Sequence, residues 1–163
     1  MLHIRTILHP TDFSVHSDAA FQMAFSLAKD YRARLVVVHV AEPPLPVYPA
    51  GGLIIPRPDT SSIDAAGERL RAIRPPSNAI VLEHRLVEGN PGVEILRMAR
   101  ELKPDLILLG THGRTGLGRL LMGSVAEEVL RKASCPVLTV KTPLGASPER
   151  AAAAPVPDVA SVP

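Results

Sequence analysis

Short apolar runs alternate along this chain with apolar residues set at helical spacing. Ile4 to His9 is a run of the first kind that ends in Pro10-Thr11-Asp12, after which Ala20, Met23, Ala24, Leu27, Ala28 and Tyr31 recur at three- and four-residue intervals. That spacing marks one face of a helix, so a strand followed by a helix is predicted. Arg34 to Ala41 (RLVVVHVA) is apolar and β-branched almost throughout, as expected for a strand covered on both faces in a parallel sheet. Ile63, Ala66, Leu70 and Ile73 predict a short second helix stopped by Pro75-Pro76, and Asn78 to Val87 a third strand. Val93, Ile95, Leu96, Ala99 and Leu102 predict a third helix, and Asp105 to Leu109 (DLILL) a fourth strand closed by Gly110. A fourth helix from Ser124 carries Val125, Val129, Leu130 and Ala133, and Pro136 to Val140 (PVLTV) makes a fifth strand.

Five strands separated by four helices specify an α/β fold, a parallel sheet with right-handed crossovers and helices on both faces. Ligands of such sheets bind beyond the carboxyl ends of the strands, where the winding reverses. The two strand exits richest in polar residues or glycine are Thr11-Asp12 and the loop from Gly110. The strand order 3-2-1-4-5 would make strands one and four neighbours and put both exits on one crevice.

Composition narrows the function. The chain has 163 residues, the size of one domain. Six of its 17 prolines lie between Pro43 and Pro58 and five more between Pro143 and Pro163, so the first stretch is expected to be a surface loop. The segment from Thr142 onward has too few large apolar residues to offset the entropy of ordering it and is expected to be a disordered tail. The domain is therefore expected over residues 1–141. No run approaches the ~20 apolar residues of a membrane span, and the N-terminus lacks a basic region followed by an apolar signal segment. A soluble, cytoplasmic protein that does not engage membranes is expected. Five aromatic residues and no tryptophan argue against a stacking-based nucleic-acid reader. The net charge of +2 is spread over mixed charges, which suits a small anion better than a polyanion. The single cysteine, Cys135, excludes an intramolecular disulfide and a multi-thiolate zinc site, and it reads as a small buried hydrophobe. His3, His9, His16, His39 and His84 follow no metal-ligand spacing and read as structural, so no metal site is expected.

Five of the 11 glycines fall in the segment from Gly110 to Gly123, which leads from a buried strand into a helix. Glycine lets backbone approach a ligand closely, and the free N–H groups of a helix N-terminus favour an anion. A phosphate site is the direct physical reading. No GK[ST] follows a GxxxxG spacing and GxGxxG fails, so the segment is neither a Walker loop nor a dinucleotide fingerprint. Gly110-x2-Gly113-x9-Gly123-Ser124 does fit the G-x2-G-x9-G-[ST] nucleotide loop of the universal stress protein family. The segments ILHPTDFS, LVVVHV, EGNPGVEIL and KPDLILLGTHGRTGLGRLLMGSVAEEVLRKASCPVLTVK, in that order, also resemble the family.

The resemblance spans residues 1–141 and implies a Rossmann-like fold with the order 3-2-1-4-5. It also implies a homodimer, commonly paired through the fifth strands, here Pro136 to Val140, with ATP in each subunit; Mg2+ with the nucleotide is a separate expectation. On that basis Asp12 would face the ribose or adjoining phosphates, and Val38 and Val40 would lie by the adenine, Val40 through its backbone. Gly110 and Gly113 would pass under the phosphates, and Gly123, Ser124 and Val125 would give N–H groups to them. Thr11, His112 and Arg114 complete the set of binding candidates, with Arg119 a further cation of the loop.

Structural roles compete for the same residues. Ser124 and Glu127 form the S-x-x-E pattern of a capping box. Asp12 suits a helix cap alongside Ser14, and Val38 and Val40 are core strand residues first. His112 has no paired nucleophile or carboxylate at a recognisable spacing, so no catalytic residue is assigned. The functional expectation is an ATP-binding stress-response regulator with an unidentified protein partner. The alternatives are a slow ATPase or phosphoryl or nucleotidyl transferase, and a dimeric scaffold that binds no nucleotide.

Overall fold

The computed structural model describes residues 3–43, 60–77, 79–111 and 122–141. Most of the proline-rich stretch, the segment from His112 to Leu121 and the tail from Thr142 lie outside the described residues. Nine elements alternate: β1 (Thr6–Pro10), α1 (Val15–Tyr31), β2 (Arg34–Ala41), α2 (Thr60–Ala72), β3 (Leu82–Glu88), α3 (Pro91–Leu102), β4 (Leu106–Gly110), α4 (Ser124–Lys132) and β5 (Val137–Val140). All four strand pairings are parallel, and the order is β3-β2-β1-β4-β5. The winding expected from the sequence is the one observed.

Side chains alternate across each strand and divide the core into two layers. Ile7, Leu35, Val37, Leu106 and Leu108 meet Ala20, Phe21, Ala24 and Leu70 of α1 and α2. Leu8, Val36, Val38, Ile107 and Leu109 meet Ile95, Met98, Ala99, Ala126 and Val129 of α3 and α4. Burying each such aliphatic side chain contributes roughly 1.5–3 kcal/mol, and the central strands β1, β2 and β4 hold most of them. The edge strands β3 and β5 are only partly buried.

Two predicted strands start later than their apolar runs. The first run opens at Ile4 but the ladder at Thr6, and the third opens at Asn78 but the strand at Leu82. The reason is the same in both: Ile4 and Ile80 pack against the α1 and α2 layer, so their apolar character reflects burial ahead of strand pairing. Asn78 itself lies outside the described residues. Gly89 turns the chain from β3 into α3 at a φ of 142°, a conformation that suits glycine.

Among the described residues four buried ones are polar, His9, Thr11, Ser17 and His39. His9 is fully buried in β1, and its Nδ1–H donates to the Leu108 carbonyl at 2.8 Å. The opposite ring nitrogen, Nε2, is buried without a hydrogen-bond partner, and the Phe21 ring lies 5.8 Å away. Burial, opposed by the Leu108 bond and the Asp12 charge, lowers the imidazole pKa from 6.5 to about 4. The folded protein therefore favours the neutral ring. Its contribution to stability is complete above pH 6.5 and is lost as the pH falls through about 4. A difference of this size corresponds to about 3 kcal/mol. His9→Asn keeps a donor for the Leu108 carbonyl and removes the titration, so urea unfolding should show a markedly smaller loss of stability for the variant than for the wild type over that pH range. Equal losses would show that His9 does not carry it.

Candidate functional site

The reversal of winding puts the exits of β1 and β4 side by side. From β1 the chain passes to α1 on one face of the sheet, and from β4 it passes to α4 on the other. Between the diverging exits lies a cavity of about 280 Å³ whose walls come from β1, α1, β2, α3, β4 and α4. Thr11, Asp12, Val38, Val40, Gly110, Gly123, Ser124 and Val125 all line it. These are eight of the sequence candidates; the other three, His112, Gly113 and Arg114, lie outside the described residues.

The β1–α1 turn is fixed by hydrogen bonds within itself and to β2 and α1. The Thr11 N–H donates to the Val38 carbonyl at 2.9 Å. The Thr11 hydroxyl donates to Ser17 Oγ at 3.1 Å and accepts from the Phe13 N–H at 3.1 Å. The Ser14 N–H donates to Asp12 Oδ1 at 3.0 Å, and Ser14 caps α1 by accepting from the Ser17 N–H at 3.2 Å. Ser14, not Asp12, is therefore the N-cap of α1, because the Asp12 carboxylate takes the Ser14 amide ahead of the helix; Asp12 also borders the cavity.

On the other side of the crevice the chain closes a loop. The Gly123 N–H donates to the Thr111 carbonyl at 2.8 Å, and the Thr111 N–H donates to Val140 O at 3.0 Å. The end of β4 and the start of α4 are thereby tied together. Here the capping-box reading is corrected. Gly123, not Ser124, occupies the N-cap, and no side chain caps α4. Because Ser124 is already the first helical residue, its hydroxyl is one position too far along to close the box with Glu127. α1 and α3, by contrast, carry the side-chain caps Ser14 and Asn90. Gly123, Ser124, Val125 and Ala126 border the cavity, so the first turn of α4, where helical N–H groups lack intrahelical partners, faces it.

Gly110 has a packing reason of its own. A Cβ there would meet the His16 carbonyl oxygen at 2.9 Å, too close for any side chain. The first turn of α1 can approach β4 only because that position is glycine. Val38 and Val40 are buried among the α3 and α4 layer while bordering the cavity, so packing and lining coexist.

Sequence reasoning missed part of the wall. His39 lines the cavity, and its Nδ1–H donates to the Thr11 carbonyl at 2.8 Å; the structural role expected of it is present, and the position in the site is additional. Ser17 and Ile95 also contribute. No sequence signal pointed toward these, since Ile95 is indistinguishable in sequence from a core residue. Cys135 is half-buried, and burial together with the Asp105 charge raises its thiol pKa, which keeps it protonated. Among the described residues no group of three His, Cys, Asp or Glu side chains is placed to hold a metal ion, and no helix is long and apolar enough to cross a membrane.

The sequence profile of the Universal stress protein family matches residues 3–141. The chain belongs to that family. A universal stress protein of Methanocaldococcus jannaschii is 36% identical over 149 residues, covering 85% of this chain and 83% of its own length. Among solved structures, the universal stress protein UspA of Lactobacillus plantarum superposes with a TM-score of 0.66 at 24% identity, over 85% of this chain and 98% of its own. A universal stress protein solved in complex with cAMP superposes with a TM-score of 0.59 at 26% identity, over 86% of this chain and 99% of its own.

The cap assignments predict different costs for three similar substitutions. Ser14→Ala and Asn90→Ala should each lose about 1 kcal/mol of stability, whereas Ser124→Ala should stay within about 0.5 kcal/mol. Chemical denaturation of the three variants measures this directly, and a loss at Ser124 equal to that at Ser14 would contradict the uncapped α4.

Proposed function

We propose that this universal stress protein binds an adenine nucleotide, ATP with Mg2+, in the cavity between the β1 and β4 exits and acts in the cytoplasm as a homodimeric regulator. The observation that carries this reading is the first turn of α4, which borders the cavity without a side-chain cap. Backbone N–H groups at such a turn, together with the helix dipole, are suited to phosphate oxygens. The cavity is at the lower end of ligand-site volumes, which run from roughly 300 Å³, and it suits the nucleoside part of the ligand, with the phosphates extending over α4.

In this arrangement Val38 and Val40 flank the adenine, Asp12 takes the ribose or the adjoining phosphates, and Gly123, Ser124 and Val125 hold the phosphates through their N–H groups. Thr11 and Gly110 shape the floor, and His112, Gly113 and Arg114 belong to the same phosphate loop. Mg2+ arrives with the nucleotide and offsets its charge beside Asp12. The cAMP complex of a relative 26% identical in sequence supports an adenine nucleotide as the ligand class. Binding in the micromolar range corresponds to about 8 kcal/mol.

The dimer forms through β5. This strand is at the sheet edge, and Leu138 is 39% exposed. Pro136 O and Val140 O bond inward to β4 through the Ile107 and Thr111 amides, so by the alternation of a parallel strand Val137 and Thr139 direct their amides at the open edge.

Isothermal titration with MgATP should give a micromolar Kd for the wild type. Gly123 has a φ of −61°, open to any residue, so Gly123→Leu should weaken binding more than tenfold while leaving stability within about 1 kcal/mol. No binding by the wild type up to millimolar MgATP would refute the function. For the dimer, Thr139→Pro removes an outward amide and should sediment as a monomer; persistence of the dimer would exclude this interface.

A further inference from the structure

Phe13 sits in the turn between β1 and α1 with a φ of 61°, in the left-handed region that bulky side chains avoid. A phenylalanine persists there only where its surroundings over-determine it. Two other elements supply that restraint. The His39 ring of β2 lies 4.2 Å from the Phe13 ring, centroid to centroid, and the Arg69 guanidinium of α2 lies over the Phe13 ring, 4.4 Å from its centroid. His39 is in turn bonded to the Thr11 carbonyl, so the column reaches back to the turn it supports.

The conformation of Phe13 decides where the next amide points. That amide, the Ser14 N–H, is the one bonded to Asp12 Oδ1, and Asp12 borders the cavity. A change of φ at Phe13 would turn the Ser14 amide away and release the carboxylate. We propose that Arg69 is a positioning residue: stacked on Phe13, it keeps the turn from Thr11 to Ser14 in its left-handed form and so holds the Asp12 carboxylate in place at the cavity wall. The consequence for ligand affinity rests on the nucleotide reading above, whereas the effect on the turn does not.

Charge supports the same placement. Partial burial and the Asp12 charge both raise the pKa of Asp18 in the first turn of α1, while Arg69 acts in the opposite sense. Arg69 therefore lies in the electrostatic neighbourhood of Asp18 and opposes there the effect of the Asp12 charge. It is exposed on α2, and its neighbour Leu70 is the residue that anchors the helix in the core. Removing the guanidinium thus leaves the packing of α2 intact. A surface arginine without this role would affect neither the turn nor the site.

Arg69→Met preserves an unbranched apolar stem and removes the cation; Arg69→Lys restores a cation for the ring. Amide hydrogen exchange by NMR on the ligand-free protein, followed by titration with MgATP, separates the two levels. In Arg69→Met the Ser14 and Phe13 amides should exchange at least threefold faster, the β2 amides should keep their protection, and MgATP affinity should fall about three- to fivefold. Arg69→Lys should recover most of both effects. Unchanged exchange at Ser14 and Phe13 in Arg69→Met would overturn the proposal whether or not the protein binds nucleotide. Faster exchange with undiminished MgATP affinity would overturn the link from the turn to the site. Faster exchange in a protein whose wild type binds no MgATP would support the hold on Asp12 and refute the nucleotide reading alone.

Discussion

The architecture of the site depends on one reversal of winding. β1 and β4 are paired through Ile7 with Leu106 and Leu8 with Ile107, yet their chains leave the sheet toward opposite faces. A parallel sheet needs helices on both faces, and at the place where the direction of coverage changes no crossover lies over the strand ends. The cavity is that uncovered space. Its dimensions follow from how closely the flanking helices approach, and Gly110 sets the limit on one side by admitting the backbone of His16. On the other side the bond from Gly123 to Thr111 returns the chain to the mouth of the cavity.

The two helices at this crevice begin differently, and the difference is electrostatic. α1 is closed off by Ser14, with Asp12 and Thr11 bonding the amides of the turn before it. α4 begins at Gly123 with no side-chain acceptor. A glycine at the N-cap forgoes a few tenths of a kcal/mol relative to a side-chain cap, and here that end borders the cavity at the strand exits. The same end of the domain thus combines a rigid acidic turn on one wall with a helix N-terminus on the other. Hydroxyl donors suit an acidic wall, and anionic oxygens suit a helix N-terminus.

The fold was legible because its information is periodic. β2 is a continuous β-branched run and falls at the limits its sequence gives, Arg34 to Ala41, and α3 follows its apolar spacing. The order of strands came from the family resemblance; the chemistry of Thr11-Asp12 and Gly110, which needed a common crevice, asked only that β1 and β4 be neighbours. Strand ends were less clear, because Ile4 and Ile80 are apolar for packing and not for pairing. In the site, glycine and small polar residues advertised themselves, whereas His39 and Ile95 did not. Their contribution depends on which way a buried side chain or ring edge faces, and neighbouring strands decide that. The Ser124 cap was misassigned for a related reason: a one-residue shift in where α4 starts is invisible to the S-x-x-E pattern. Phe13 is the furthest case, since nothing in the string DFS announces a left-handed phenylalanine held by a residue 56 positions later.

We propose that the uncapped start of α4 and the acidic turn after β1 enclose an adenine nucleotide. Mass spectrometry of the small molecules released on denaturing freshly purified protein tests it most directly. An adenine nucleotide recovered at close to one per chain, and absent from Gly123→Leu prepared in parallel, is the predicted result. Wild-type protein that releases no adenine nucleotide and stays empty after incubation with MgATP and desalting would contradict it.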